Sequence, residues 1–143
     1  MDKNKVETDN FKAAFTEEWS KTKEMGVTLA KRISELMSIN KWDAREFVRR
    51  TKLEQNLYYR IRREDVKSPT IESILNISIG FKLTPEIRDE LIKLAGRGWQ
   101  NSEQHYAYRY ILRKCDIKTV TDFNDAYSKL YPKKAPPLTD DPN

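Results

Sequence analysis

Among its 143 residues the chain has one cysteine, one histidine and four glycines, so three of the residue types that usually signal chemistry are nearly missing. A lone Cys115 cannot form an internal disulfide, which points to an intracellular, cytoplasmic protein. His105 and Cys115 are ten residues apart and belong to no Cys/His cluster, so no structural zinc site and no other metal is expected. A Cys–His nucleophile pair is the enzymatic alternative. The simpler reading is a small buried thiol and a surface imidazole. There is no Gly-rich phosphate loop, and Gly-Arg-Gly at 96–98 reads as a helix stop. The acidic pairs Glu17-Glu18 and Asp140-Asp141 sit in polar surroundings and read as solvated charge. No enzyme and no cofactor are therefore expected. No apolar run approaches the roughly 18–20 residues that span a bilayer, and MDKNKVETDN has no apolar core of a secretory leader. Convincing period-two alternation is also absent, so strands are not expected and the chain reads as all-α.

What is present is focused positive charge. The whole chain carries +5, with pI near 9.2, which favours a polyanionic partner. Residues 1–27 contribute nothing to that excess, with five lysines against six carboxylates. The segment 41–63, KWDAREFVRRTKLEQNLYYRIRR, holds eight cations against three carboxylates and matches the excess of the whole chain. It reads as two short helices with a tight connection, the layout that sets one helix in the DNA major groove.

Helical periodicity organises the rest. Residues 1–9 are polar and of mixed charge and are expected to be disordered. A helix is expected to start near Asp9 or Asn10, with Phe11, Phe15 and Trp19 on one face, and to end or break at Gly26. Such a stripe is usually core, so this helix is expected to dock on the protein's own interior; the alternative is an exposed stripe that grips a second subunit. The next helix spans Thr28 to Asn40, with Leu29, Ile33, Leu36 and Met37 inward. Trp42 is an anchor and Asp43 the cap of a helix at 44–51, with Phe47 and Val48 inward. Leu53 sits in the turn. Glu54 or Thr51 caps a helix at 54–64, whose inner face is Leu57, Tyr58 and Ile61. Ser68-Pro69-Thr70 breaks the chain before the most apolar helix, carrying Ile71, Ile74, Leu75, Ile77 and Phe81. Thr84-Pro85 opens a helix with Ile87, Leu91 and Leu94. Ser102–Lys114 follows, with Tyr106, Tyr110 and Ile111 or Leu112 inward, and a last helix begins at Thr119 or Thr121 with Phe123, Tyr127 and Leu130 inward. The aromatic and arginine tract at 105–114 also suits stacking on single-stranded bases, but a shared helical face makes core or interface the simpler reading. Pro132, Pro136, Pro137 and the Asp-rich end read as an extended, mobile tail.

From Leu29 to Ala95 this pattern resembles the phage-repressor-like (Cro-type) helix-turn-helix family. Ile33 and Leu36 match the family's first helix, Trp42, Phe47 and Val48 the start of its second, and Leu53, Tyr58 and Ile61 its turn and third helix. Pro69, Ile71, Ile74, Leu75 and Ile77 match the fourth, and Leu83 with the helix from Pro85 the fifth. LTPEIRDELIKLAGRGW, YRYILRKCDIKTVTDFNDAY and a closing PPL are similar to a group of bacterial regulators of that family with a C-terminal helical extension. Three positions depart from the pattern. Ala44 stands where Gln is common, Val48 where a small residue is usual, and Glu64 near the usual Gly.

The resemblance implies an all-α, phage-repressor-like five-helix DNA-binding bundle with an N-terminal amphipathic helix and a C-terminal helical pair. Residues 1–27 would be the tail and amphipathic helix, 28–98 the DNA-binding domain, 99–131 the helical extension and 132–143 the mobile tail. The implied function is a sequence-specific transcriptional regulator of double-stranded DNA. Gln55, Asn56 and Arg60 take the family's base-reading positions, and Tyr59 is placed to meet a thymine methyl or a phosphate. Arg45, Arg49, Lys52, Arg62 and Arg63 are the phosphate contacts. A homodimer is expected, through Phe11, Phe15 and Trp19 or through the C-terminal helices. The alternative is a helix-turn-helix scaffold that binds protein, antitoxin- or anti-repressor-like, with weak or no DNA binding.

Overall fold

A computed structural model describes residues 3–25, 27–64 and 69–140, with the side chains of the first helix described from Thr8 to Lys21. Gly26, Ser68 and the last three residues of the tail, on which parts of the sequence reading rest, lie outside the described residues. Among the described residues the protein is all-α, with no strand. The helices in chain order are α1 (Lys3–Met25), α2 (Leu29–Asn40), α3 (Ala44–Thr51), α4 (Gln55–Arg62), α5 (Ile71–Phe81), α6 (Pro85–Leu94), α7 (Glu103–Lys114) and α8 (Val120–Leu130).

Short polar side chains start most of these helices by accepting from an otherwise unpaired backbone N–H in the first turn. Thr28 accepts from Lys31, Asp43 from Glu46, Thr70 from Ser73, Thr84 from Ile87 and Ser102 from His105. Thr119 and Asp122 form a reciprocal capping box at the start of α8. The helix ends are less conventional. Lys41, Lys52 and Lys82 close α2, α3 and α5 in the left-handed conformation, with φ of 57°, 64° and 55°. Glu64 adopts φ 59° just beyond α4, a backbone conformation that favours glycine.

α5 is the axis of the core. Ile71, Ile74, Leu75, Ile77, Ile79 and Phe81 are all buried. Trp42 stacks on Phe81 at 4.2 Å, and Phe47 lies 4.7 Å from Tyr58 and 6.1 Å from Phe81, which joins α3, α4 and α5 through aromatic rings. Gly80 lets α5 approach α3 closely, because a Cβ there would stand 2.8 Å from Thr51 Cγ2 and 3.0 Å from the Arg50 carbonyl oxygen. A second aromatic cluster, Tyr108 with Phe123 and Tyr127, holds α7 to α8. Both clusters belong to one continuous core.

Six expectations are corrected. The first helix begins at Lys3 rather than near Asp9, since nothing from Lys3 to Thr8 is Gly or Pro and the helix can propagate through that segment. Its stripe does not dock on the core: Phe11, Phe15 and Trp19 are 75, 63 and 56 % exposed. Tyr106 and Tyr110 point outward, at 63 and 40 % exposed, while His105 and Tyr108 are buried in their place beside the expected Ile111. The run His-Tyr-Ala-Tyr-Arg-Tyr puts aromatics on both faces of α7, so spacing alone does not pick the inner one. His105 and Cys115 exchange roles as well, the imidazole being buried and the thiol exposed, and Leu130 is exposed. The proline-rich tail is not free. Leu138 is buried and pinned by Asn124, whose Nδ2 donates to the Leu138 carbonyl at 2.9 Å while its Oδ1 accepts from the Leu138 N–H at 3.2 Å.

Candidate nucleic-acid interface

α3 and α4 are joined by Lys52, Leu53 and Glu54, and the left-handed Lys52 turns the chain sharply enough for a three-residue connection. Leu53 is buried beneath that turn. Thr51 organises it, donating its hydroxyl to the Phe47 carbonyl at 2.8 Å and accepting from the Leu53 N–H at 3.3 Å. Asn76 of α5 secures the same point from below. Its Nδ2 donates to the Thr51 carbonyl at 2.8 Å and to the Thr139 carbonyl at 2.7 Å, tying the turn to the core helix and the returning tail together.

α4 is thereby mounted with Tyr58 and Ile61 buried and Leu57 half-buried. Gln55, Asn56, Tyr59, Arg60 and Arg63 lie on its exposed side. Gln55 Nε2 reaches the Tyr59 hydroxyl at 3.5 Å, so these two side chains share one patch near the start of the helix. The amides and guanidinium on this patch are the groups that pair bidentately with adenine and guanine edges.

The predicted phosphate residues divide by their surroundings. Arg45 is exposed in the first turn of α3, and Lys52 is half-buried in the connection. Arg49 is already engaged, its Nη2 and Nε donating to Glu46 at 2.6 and 3.0 Å. Arg50, which was not among the predicted contacts, donates to the same carboxylate at 2.7 Å and lies 6.0 Å from the Trp42 ring. These bonds hold the Glu46 carboxyl down to about 2. Arg62 is tied back to the scaffold. It donates to the Tyr58 hydroxyl at 2.7 Å and to Ser34 Oγ at 3.3 Å, with its guanidinium 5.6 Å from the Tyr58 ring, and so clamps α4 to α2.

Sequence reasoning missed a second cationic region. Arg88 of α6 and Arg109 and Arg113 of α7 line an open groove of about 430 Å³. The alternation of tyrosine and arginine in the tract at 105–114 is the available signal, but helical spacing alone turns Tyr106 and Tyr110 inward. Among the described residues there is no group of three or more potential metal ligands, and no helix long and apolar enough to cross a membrane.

Comparison with protein-family models, with curated proteins and with solved structures returned no match to this chain.

Proposed function

We propose that this protein is a cytoplasmic, sequence-specific DNA-binding transcriptional regulator. It is a phage-repressor-like helix-turn-helix bundle (α2–α6) whose reader helix is α4, and no enzymatic role belongs to this reading. One observation carries it: Gln55, Asn56, Tyr59 and Arg60 stand together on the exposed side of a short helix whose opposite side is anchored by Tyr58 and Ile61. A major groove admits a helix presented this way. Arg45, Arg49, Lys52 and Arg63 surround the patch as phosphate contacts, with Arg62 as a brace. The surface ion pairs to Glu46 are weak enough for phosphate to displace.

The same reading calls for a second copy, because one reader helix spans only a few base pairs. α1 is the surface suited to it. Every described side chain from Thr8 to Lys21 is exposed, so this stretch of α1 takes no stability from burial in the core, and a lone helix in water is marginal. It has five lysines and five carboxylates between Lys3 and Met25, which disfavours both a polyanion and an anionic membrane as the occupant of the aromatic stripe. The C-terminal pair, the other candidate contact, packs its inner faces on the core. Sedimentation should show a dimer that the double change Phe15→Ala, Trp19→Ala dissociates; an unchanged dimer places the contact elsewhere.

A salt titration on random duplex tests the main reading. Affinity should fall by orders of magnitude between about 50 and 200 mM salt. Selection from a random duplex library should return a two-fold motif. A second reading, a protein-interaction module, is favoured by the carboxylate of Glu46 neutralising two arginines beside the reader and by the strained Glu64 at its end. Absence of duplex binding at low salt would select it.

A further inference from the structure

The groove between α6 and α7 is built unlike the reader surface. Arg88 is its floor. Its side chain is only 16 % exposed, and its Nε has no hydrogen-bond partner. The nearest carboxylate oxygen, Asp89 Oδ1, is 3.8 Å away, too far for a hydrogen bond. Burial disfavours the charged form of this guanidinium most strongly; Asp89 opposes that, the cation of Arg109 adds to it, and Glu86 opposes it. A partly buried guanidinium charge beside two further arginines is costly unless an anion offsets it. Asp89, which accepts from Trp99 Nε1 at 3.3 Å, stands too far from the Arg88 Nε to fill that role.

Arg109 also lines a second hollow of about 220 Å³, together with Trp99, Gln100, Asn101, Ser102 and Tyr106. The Arg109 guanidinium lies 5.6 Å from the Trp99 ring, and Trp99 is held edge-on to His105 at 5.8 Å. Tyr106 is the most exposed aromatic of this region. An aromatic and amide-lined hollow therefore shares Arg109 with a three-arginine groove. A planar base stacks on aromatic rings at little cost in specificity, while a guanidinium fork matches phosphate oxygens.

We propose that this double hollow is a nucleotide site, with the base received against Tyr106 and Trp99 and the phosphate by Arg88, Arg109 and Arg113. The nucleotide is either free or one unit of a single strand. Both present the same base and phosphate, and the site is separate from the α4 reader.

The test uses the full chain and follows binding by calorimetry with three probes: ADP, a short oligothymidylate and inorganic phosphate. Wild type should bind ADP or the oligonucleotide more tightly than inorganic phosphate. Arg109→Ala, an exposed position that should leave the fold intact by circular dichroism, should weaken binding at least about tenfold, as expected for loss of a charge-assisted bidentate contact. Trp99→Leu should weaken ADP but not inorganic phosphate. Arg60→Ala should leave ADP binding unchanged, and Arg109→Ala should leave duplex binding unchanged, so failure here is distinguishable from failure of the reader. Tighter ADP than oligonucleotide binding identifies a free nucleotide, and the reverse order identifies a strand. Binding of inorganic phosphate as tight as ADP, no binding of ADP or oligonucleotide at about 1 mM, or an unchanged affinity in Arg109→Ala would each overturn the proposal.

Discussion

α4 and α7 each present tyrosine and arginine to solvent, yet the two surfaces are built on opposite plans. The α4 surface is the outer face of one helix, with Gln55, Asn56, Tyr59 and Arg60 exposed on it and Tyr58, Ile61 and Arg62 pinning it behind. The α7 surface is concave, its arginines converging on open space with Arg88 partly desolvated behind them. An exposed helix face suits insertion into a nucleic-acid groove, whereas a concave surface suits enclosing a small ligand. The cations differ in the same sense. Arg49 and Arg50 near α4 share a solvated carboxylate, while Arg88 near α7 has an unfilled donor. Residue type alone thus says little about the use of a basic aromatic surface, since curvature and desolvation separate the two.

The largest expected effect tests whether both surfaces stand on one frame. Asn76→Ala leaves the Thr51 and Thr139 carbonyls without their buried donor and should cost about 3 kcal/mol of stability. Denaturation should remain a single transition, with both binding activities lost together; two transitions would show that the α3–α4 unit and the C-terminal pair unfold independently.

Next in size is Arg60→Ala. It should cost about 1–3 kcal/mol on a selected duplex and relax one base position. Unchanged affinity and preference in a binding assay would show that α4 is not the reader.

Lys52→Gly sharpens the comparison by separating charge from fold. Lys52 sits at φ 64°, where glycine is relaxed, so the variant should be about 0.5–1 kcal/mol more stable by denaturation. It should nevertheless bind all duplex sequences more weakly and with a shallower salt slope, by about one ion.

Glu46→Gln should act the other way. Freed of their shared carboxylate, Arg49 and Arg50 become available to phosphate, and the salt slope should steepen by about one ion. The pH dependence of stability reports the same group. Its folded value is depressed to about 2 from the ordinary 4.5, so its stabilising contribution is complete above 4.5 and disappears as pH falls towards 2. Wild type and Glu46→Gln should therefore converge in stability at the acid end, measured by thermal unfolding across pH.

Most helix starts were legible in the sequence because a cap is a local device. Thr28, Asp43, Thr70, Thr84, Ser102 and Thr119 each act on a backbone N–H within three residues. The exposed side of α4 was legible for a related reason, since Leu57, Tyr58 and Ile61 together make an apolar face that Tyr59 alone on the other side cannot match. α7 shows the limit. With aromatics on both of its faces, only the partners Phe123 and Tyr127 select Tyr108 for the interior. The Arg88 groove was equally invisible, because its residues come from two helices separated by a loop.

The amino-acid sequence by itself determined an all-α chain, its order of helices, the apolar α5 axis and the concentration of positive charge around α3 and α4. Those properties follow from spacing, capping and composition along a few turns of helix. The tertiary structure alone decided that α1 leaves its aromatics uncovered, that the tail returns to be held by Asn124 and Asn76, and that Arg62 braces while Arg88 waits beside open space. Each of these depends on groups far apart in the chain, whose meeting is set by how the whole core packs.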